Sequence, residues 1–374
     1  MSSEFGDAVI FNGYGKPLVK TKFEIPKKVD DYDALVKVTL ATICGSDVHT
    51  WCGHRDFPTP SILGHEIVGK IVKLGNKLQY DYMGNELHKG DRVVWSMTVS
   101  CGTCYFCTTA GLPQKCVNLF KYGHVKSDEP PHFTGGYAEF VYLKKGTSIF
   151  KIPSELTDEE VAPLMCAGAT VMSGLDAADF SHCDYVVVQG CGSLGLYACA
   201  FTKELGASKV IAIDTENERL TLAQQFGADY LINATEDEND ILNHITKITC
   251  GRGVDYVIEV TGSSHVIPQG IKFLRIGGKY ILLGAIYPQG FVTIDSSDVI
   301  TKCLHLFGMH NYKSIHLNNA IQLVQKIRKK YPFKKLVGPI FNLSEIDLEA
   351  AFNSLYTKKS IRPAIIPAPT SSSI

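Results

Sequence analysis

One segment constrains the fold of this 374-residue chain more than any other. The apolar, β-branched run DYVVVQG at 184–190 reads as a buried strand, and LGLYACAFTKELG at 194–206 follows at helical spacing to a glycine stop. Between them stands Gly190-Cys191-Gly192-Ser193-Leu194-Gly195, a G-x-G-x-x-G turn. Glycines are common, so the pattern alone has little weight; between a strand and a helix it has a mechanism. The first glycine permits a tight reversal, the second lets the backbone approach a pyrophosphate, and the third lets helix and strand pack closely, with the helix N-terminus facing the anion. Asp214, 19 residues past Gly195 at the end of the next apolar run, can accept hydrogen bonds from an adenosine ribose. A 2′-phosphate there would meet this carboxylate, with Glu216 and Glu218 close by, so NAD is expected over NADP. Gly190, Gly192, Ser193, Leu194, Gly195, Asp214 and Arg219 are the candidate cofactor contacts in this region. A tight βα turn without a ligand, with Asp214 as a helix cap, is the bland alternative.

The alternation continues through 209–214, 218–227, 229–233, 240–248, 254–260 and 279–285, which predicts an α/β, doubly wound parallel sheet with helices on both faces. The first 150 or so residues differ. Short β-type runs at 34–40, 66–75 and 91–97 are broken by Gly, Pro and Asn and suit a compact, largely antiparallel domain. After Thr301 the pattern loosens to one good helix at 317–330, and the closing PAPTSSSI is expected to fray. With 37 Lys+Arg against 38 Asp+Glu, the chain has no basic surface to grip nucleic acid or an anionic membrane. No stretch of 18 apolar residues exists and the start lacks a signal-peptide profile, so a cytoplasmic location is expected.

Twelve cysteines in 374 residues are too dilute for a disulfide scaffold, but they cluster. Cys101, Cys104, Cys107 and Cys116 form C-x2-C-x2-C-x8-C, which can wrap one tetrahedral Zn²⁺ with no open position, a structural site; an Fe–S cluster would usually show another cysteine spacing and a following proline. A second set is dispersed: Cys44 with Ser46, Asp47 and His49 in TICGSDVHTW, His65 with Glu66 in LGHEIVG, and Cys166 in PLMCAGATV. Two thiolates and an imidazole leave a fourth position of a zinc ion for water or substrate.

The order Cys44-Gly-Ser-Asp, Gly64-His65-Glu66, the cysteine lobe, Gly135-Gly136-Tyr137-Ala138-Glu139, the dinucleotide turn and Lys359-Ser360-Ile361-Arg362 resembles the zinc-dependent medium-chain alcohol dehydrogenases over about residues 7–367. The resemblance implies a GroES-like, mainly β catalytic domain at 1–164 with its zinc lobe near 98–120, a Rossmann NAD-binding domain at 165–302, and a return segment at 303–374. It also implies a cleft between the domains, a homodimer or homotetramer, and two zinc ions per chain, one catalytic and one structural. Two departures stand out: the last lobe spacing is one residue longer than usual, and Gly45 stands where some members carry a pyrophosphate-binding arginine, which shifts that task toward Arg362. The 111–116 and 121–124 segments resemble, over a short stretch, a subgroup associated with phosphonate catabolism.

The expected activity is NAD-linked interconversion of a small-molecule alcohol and its aldehyde or ketone, with simple alcohols, polyols and hydroxyalkyl phosphonates as candidate substrates. Ser46 is placed to take the hydroxyl proton and, by the resemblance, His49 to carry it onward. Asp47 is expected to hold the far nitrogen of His65, and Glu66 to sit behind the metal or ligate it transiently. The rival readings are a zinc-independent enone reductase of the same superfamily, which lacks these ligands, and a non-enzymatic NAD-binding zinc protein.

Overall fold

The computed structural model describes residues 4–235, 237–284 and 290–367. The chain forms two compact units, one from the segments before Ala167 and after Pro332, the other from Ala167 to Pro332.

The first unit is built on a seven-stranded sheet. Its centre is Ala34–Thr42, paired antiparallel with Glu66–Leu74, Phe140–Leu143 and Ala364–Ile366. Arg92–Trp95 and Ile149–Lys151 extend one side, and Ile340–Asn342 adds parallel to Ala364–Ile366 on the other. The ALVKVTLAT run is buried at nearly every position, which explains why both of its edges are covered. Thr98–Val99 pairs with Phe120–Lys121 in a separate two-stranded ribbon, and the four-cysteine segment is the excursion between those strands.

The second unit is a six-stranded parallel sheet in the order Tyr230–Asn233, Ala207–Asp214, Cys183–Gln189, Val254–Glu259, Leu274–Leu282, His305–Gly308. This is the doubly wound order, with the strand before the glycine turn at its centre and sequence direction reversing on either side of it. The return to the first unit comes at Phe333, not at 303 as expected. His305–Gly308 hydrogen-bonds to the Leu274–Leu282 strand, and the Ser314–Ile327 helix packs on the Ala167–Ala177 helix, so 303–332 stays with the parallel sheet. The loosened pattern after Thr301 hid a second helix, Glu345–Tyr356, with only Leu348, Ala351 and Phe352 buried. The expected fraying at the C-terminus falls largely outside the described residues. Among the described residues no helix is long and apolar enough to cross a membrane.

Candidate active and metal sites

The central strand Ala34–Thr42 delivers Cys44 to the cap of a short helix, Gly45–Trp51. The Cys44 backbone N–H donates to Asp47 Oδ2 at 3.0 Å, so the helix start carries its own carboxylate brace. One turn of this helix presents Ser46, Asp47 and His49 together. The antiparallel register sets Thr42 opposite Glu66, which brings His65 and Glu66 beside Cys44. Cys166 follows the 3-10 turn Ala162–Met165, which packs on the Glu66–Leu74 strand. Ligand atoms of Cys44, His65, Glu66 and Cys166 all lie within 4.8 Å of one another.

The surroundings fix each group. His65, 1% exposed, donates from Nδ1 to Asp47 Oδ1 at 3.1 Å, which leaves Nε2 for a metal. Tyr137 donates its hydroxyl to Asp47 Oδ2 at 3.0 Å. Ser46 Oγ stands 3.4 Å from His65 Nε2. Thr42 donates to Glu66 Oε2 at 2.5 Å, and Arg362 Nη1 lies 3.1 Å from Glu66 Oε1. Arg362 is 2% exposed and also faces the Ile43 carbonyl, so any cofactor contact expected of it has to coexist with this buried pair. His49 Nδ1 lies 2.9 Å from His54 Nδ1. Burial lowers the His49 pKa, and the charges of His54 and Arg55 lower it further.

The donor chemistry asks for a cation. Cys44 and Cys166 Sγ are 3.9 Å apart and not disulfide-bonded. The Cys166 thiol donates to Cys44 and holds it well below the ordinary thiol pKa, while that same thiolate and burial push Cys166 up. Two sulfurs at ~2.3 Å from a tetrahedral zinc would stand about 3.8 Å apart, which matches this spacing. Burial disfavours charge on His65, but Asp47 outweighs it and lifts the ring to about 10. Burial raises Glu66 to about 8 against the pull of Arg362. The residues therefore fit a Cys2His metal site with Glu66 held behind it.

The lobe forms the second cluster. Cys104 Sγ stands 3.5 Å from Cys107 Sγ and 3.9 Å from Cys116 Sγ, and the backbone N–H groups of Cys101 and Asn118 point at Cys116 Sγ from 3.2 and 3.4 Å. Four sulfurs gathered this closely fill a tetrahedral zinc shell with nothing left for substrate. The residue added to the last spacing leaves the ligand set intact.

In the second unit, Gly190 takes φ +99°, and a Cβ at Gly195 would sit 1.8 Å from the Gly190 carbonyl oxygen, so the turn closes only with glycine at both positions. Gly192 caps the Ser193–Leu205 helix, and the Arg219 guanidinium lies about 4.0 Å from where its side chain would begin. Asp214 accepts from the Cys191 N–H at 2.6 Å and from the Glu216 N–H at 2.9 Å. The expected ribose acceptor thus also braces the turn.

Residues 30–154 match the alcohol dehydrogenase GroES-like domain and 193–326 the zinc-binding dehydrogenase domain. The chain is 33% identical to the 5-exo-hydroxycamphor dehydrogenase of Pseudomonas putida, over 83% of this chain and 86% of that one. It belongs to the zinc-dependent medium-chain alcohol dehydrogenases. A sorbitol dehydrogenase of Halalkalibacterium halodurans is 29% identical over 94% of this chain and 99% of its own. An alcohol dehydrogenase of Thermotoga maritima superposes with a TM-score of 0.92 at 30% identity, covering 97% of this chain and all of that one. As a medium-chain dehydrogenase the protein is a zinc-dependent oxidoreductase acting on a small molecule. Sequence reasoning missed three residues that shape this dehydrogenase's site. Tyr137 lay inside a quoted glycine motif, Thr42 pairs directly with Glu66, and Lys121 sits at the base of the lobe; only the pairing of distant strands reveals them.

Proposed function

We propose that the protein oxidises an alcohol to its aldehyde or ketone, reversibly, with NAD as hydride acceptor. The observation that carries this reading is the pair of sulfurs, 3.9 Å apart, beside an imidazole whose free nitrogen lies within 4.8 Å of them. Cys44, His65 and Cys166 would hold the catalytic zinc, and Cys101, Cys104, Cys107 and Cys116 the structural one. Zinc supplies Lewis acidity to the substrate oxygen, and the nicotinamide takes the hydride. Asp47 fixes His65 in the tautomer that presents Nε2, and is itself fixed by Tyr137 and the Cys44 amide. Ser46, 3.4 Å from that nitrogen, is placed to accept the hydroxyl proton of the substrate. His49, kept below its ordinary pKa, is an unprotonated acceptor at neutral pH and carries the proton outward. In the second unit the Gly190–Gly195 turn receives the pyrophosphate, Asp214 takes the ribose hydroxyls and disfavours a 2′-phosphate, and Arg219 flanks the phosphates. Metal analysis together with a panel of alcohols followed by NADH absorbance tests the proposal. Two zinc ions per chain and turnover with NAD above NADP are expected. One zinc per chain, or NADPH-linked reduction of enones alone, would refute it.

A further inference from the structure

A cationic wall stands against the metal ligands. Phe57 and Arg55 follow the Gly45–Trp51 helix, and His124 follows the Phe120–Lys121 strand. The His124 ring meets the His65 ring edge to face, with centroids 4.9 Å apart. His124 donates from Nδ1 to the Tyr122 carbonyl at 3.1 Å. That leaves Nε2 as the acceptor for Arg55 Nη2, which approaches it at 3.4 Å.

Arg55 is held on every side except one. Nε donates to Thr50 Oγ1 at 2.7 Å, Nη2 also donates to the Ser46 carbonyl at 3.1 Å, and the guanidinium lies 5.3 Å from the Phe57 ring centre. Nη1 has no acceptor, and no carboxylate pairs with this guanidinium, among the described residues. Lys121 is half-buried and its ammonium has no ion pair among the described residues. Its carbonyl accepts from the His124 N–H at 3.0 Å, so the end of the Phe120–Lys121 strand and His124 share one turn, and burial lowers the pKa of its ammonium.

Charge accounting shows what is missing. Two thiolates balance a divalent metal, Glu66 is balanced by Arg362, and Asp47 carries one negative charge against the two cations Arg55 and Lys121. Two partly desolvated cations without a counter-anion are costly unless an anion arrives with the substrate.

We infer that Arg55 and Lys121 form an anion subsite, oriented by His124, and that the physiological alcohol carries a carboxylate or a phosphoryl-type group a few bonds from its carbinol. The inference rests on the dehydrogenase reading and names its substrate class. Guanidinium geometry suits bidentate capture of either group, while the flexible lysine adds charge.

The test pairs anionic alcohols, 3-hydroxybutyrate and 2-hydroxyethylphosphonate, with uncharged counterparts, 2-butanol and 1-propanol, on the zinc-loaded holoenzyme. Wild type should favour the anionic member of each pair by at least about tenfold in kcat/KM. The two anionic arms tell carboxylate from phosphoryl recognition. Arg55→Met should cut kcat/KM for the anionic member by about a hundredfold, mostly through KM, and at least about tenfold more than for the neutral one. Lys121→Met should do the same more weakly, and Arg55→Lys should recover part of the loss. Methylphosphonate, as a non-reactive probe, should bind by calorimetry and compete with the alcohol but not with NAD. Equal losses on anionic and neutral alcohols would reduce Arg55 to a brace for the helix, and competition with NAD would assign the cations to the cofactor; either overturns the inference. If no alcohol of either kind turned over, the dehydrogenase reading would fail separately. The calorimetric arm would then decide alone: binding lost in Arg55→Met upholds the subsite, and no binding to wild type sinks it.

Discussion

Replacing Asp47 by Asn changes one atom and asks how much the metal site owes to a carboxylate that never touches the metal. Oδ1 accepts from His65 Nδ1, and Oδ2 accepts from both the Cys44 amide and Tyr137. Asparagine has one oxygen and one NH2, so it can satisfy only one side. With its oxygen toward Cys44 and Tyr137, the NH2 faces His65 Nδ1 and drives the proton to Nε2, the nitrogen needed for zinc. With its oxygen toward His65, the NH2 faces the Cys44 N–H and leaves a buried donor unpaired beside a ligand. Either outcome costs about 1–3 kcal/mol, the price of one orphaned buried group. At ~1.4 kcal/mol per tenfold, that is on the order of 10–100-fold in zinc affinity, the range for losing an outer partner of a metal-bound histidine. Chelator competition followed by zinc analysis measures it, with the lobe zinc as internal reference. The variant should lose one zinc at chelator concentrations where wild type keeps two, with turnover falling in step and partly returning in excess zinc. Zinc affinity at the open site within about threefold of wild type would refute the tautomer argument, and simultaneous loss of both ions would show that Asp47 serves the fold instead.

Cys104→Ser should lower the thermal midpoint or dissociate any oligomer, because the lobe is a closed site whose metal orders its loop, with near-normal turnover in the folded fraction; calorimetry beside turnover checks it, and lost catalysis at unchanged stability would contradict it. Asp214→Ala should raise the KM for NAD about 10–100-fold, since it removes a charge-assisted ribose contact of ~1.5–3 kcal/mol and releases the Cys191 and Glu216 amides, and the NAD/NADP ratio should shrink. His49→Gln bears on pH. The lowered His49 pKa means that the ring binds its proton only below the usual histidine range, so wild-type alcohol oxidation should rise with pH through a value under 6.5 and level off above it. The variant should lose that limb and be slowest relative to wild type on the plateau near neutral pH, recovering as hydroxide takes over at high pH; pH–rate profiles parallel to wild type would send the proton by another route.

Local signals were legible and long-range ones were not. The strand, glycine turn and helix at 183–205 could be read because an apolar run, special backbone positions and helical spacing all act within one stretch of chain. The lobe could be read for the same reason, as four cysteines in 16 residues need no partner elsewhere. The structure gathers the side chains of both expected metal-ligand sets, the dispersed one having been named with the help of motif order. Hidden were contacts made by pairing: Tyr137 reaches Asp47 across 90 residues, and Arg362 reaches the Ile43 carbonyl across 319. The late boundary was hidden too, because His305–Gly308 is a short edge strand with mostly exposed positions, and such strands carry no alternation to read.

The Glu66–Arg362 pair also orders events in time during synthesis. Every residue of the open metal site is in place once Cys166 has emerged, yet the cation that neutralises Glu66 arrives only after the whole parallel-sheet unit has been made. Until then a carboxylate destined for full burial lacks its partner, a deficit worth about 3–5 kcal/mol. The nascent first unit should therefore hold its metal-binding face loosely, and the closing strand Ala364–Ile366, which hydrogen-bonds beside Cys44, should act as the latch. Folding of the inserted unit shortens the loop that this latch must close, so it should govern how soon the site becomes rigid.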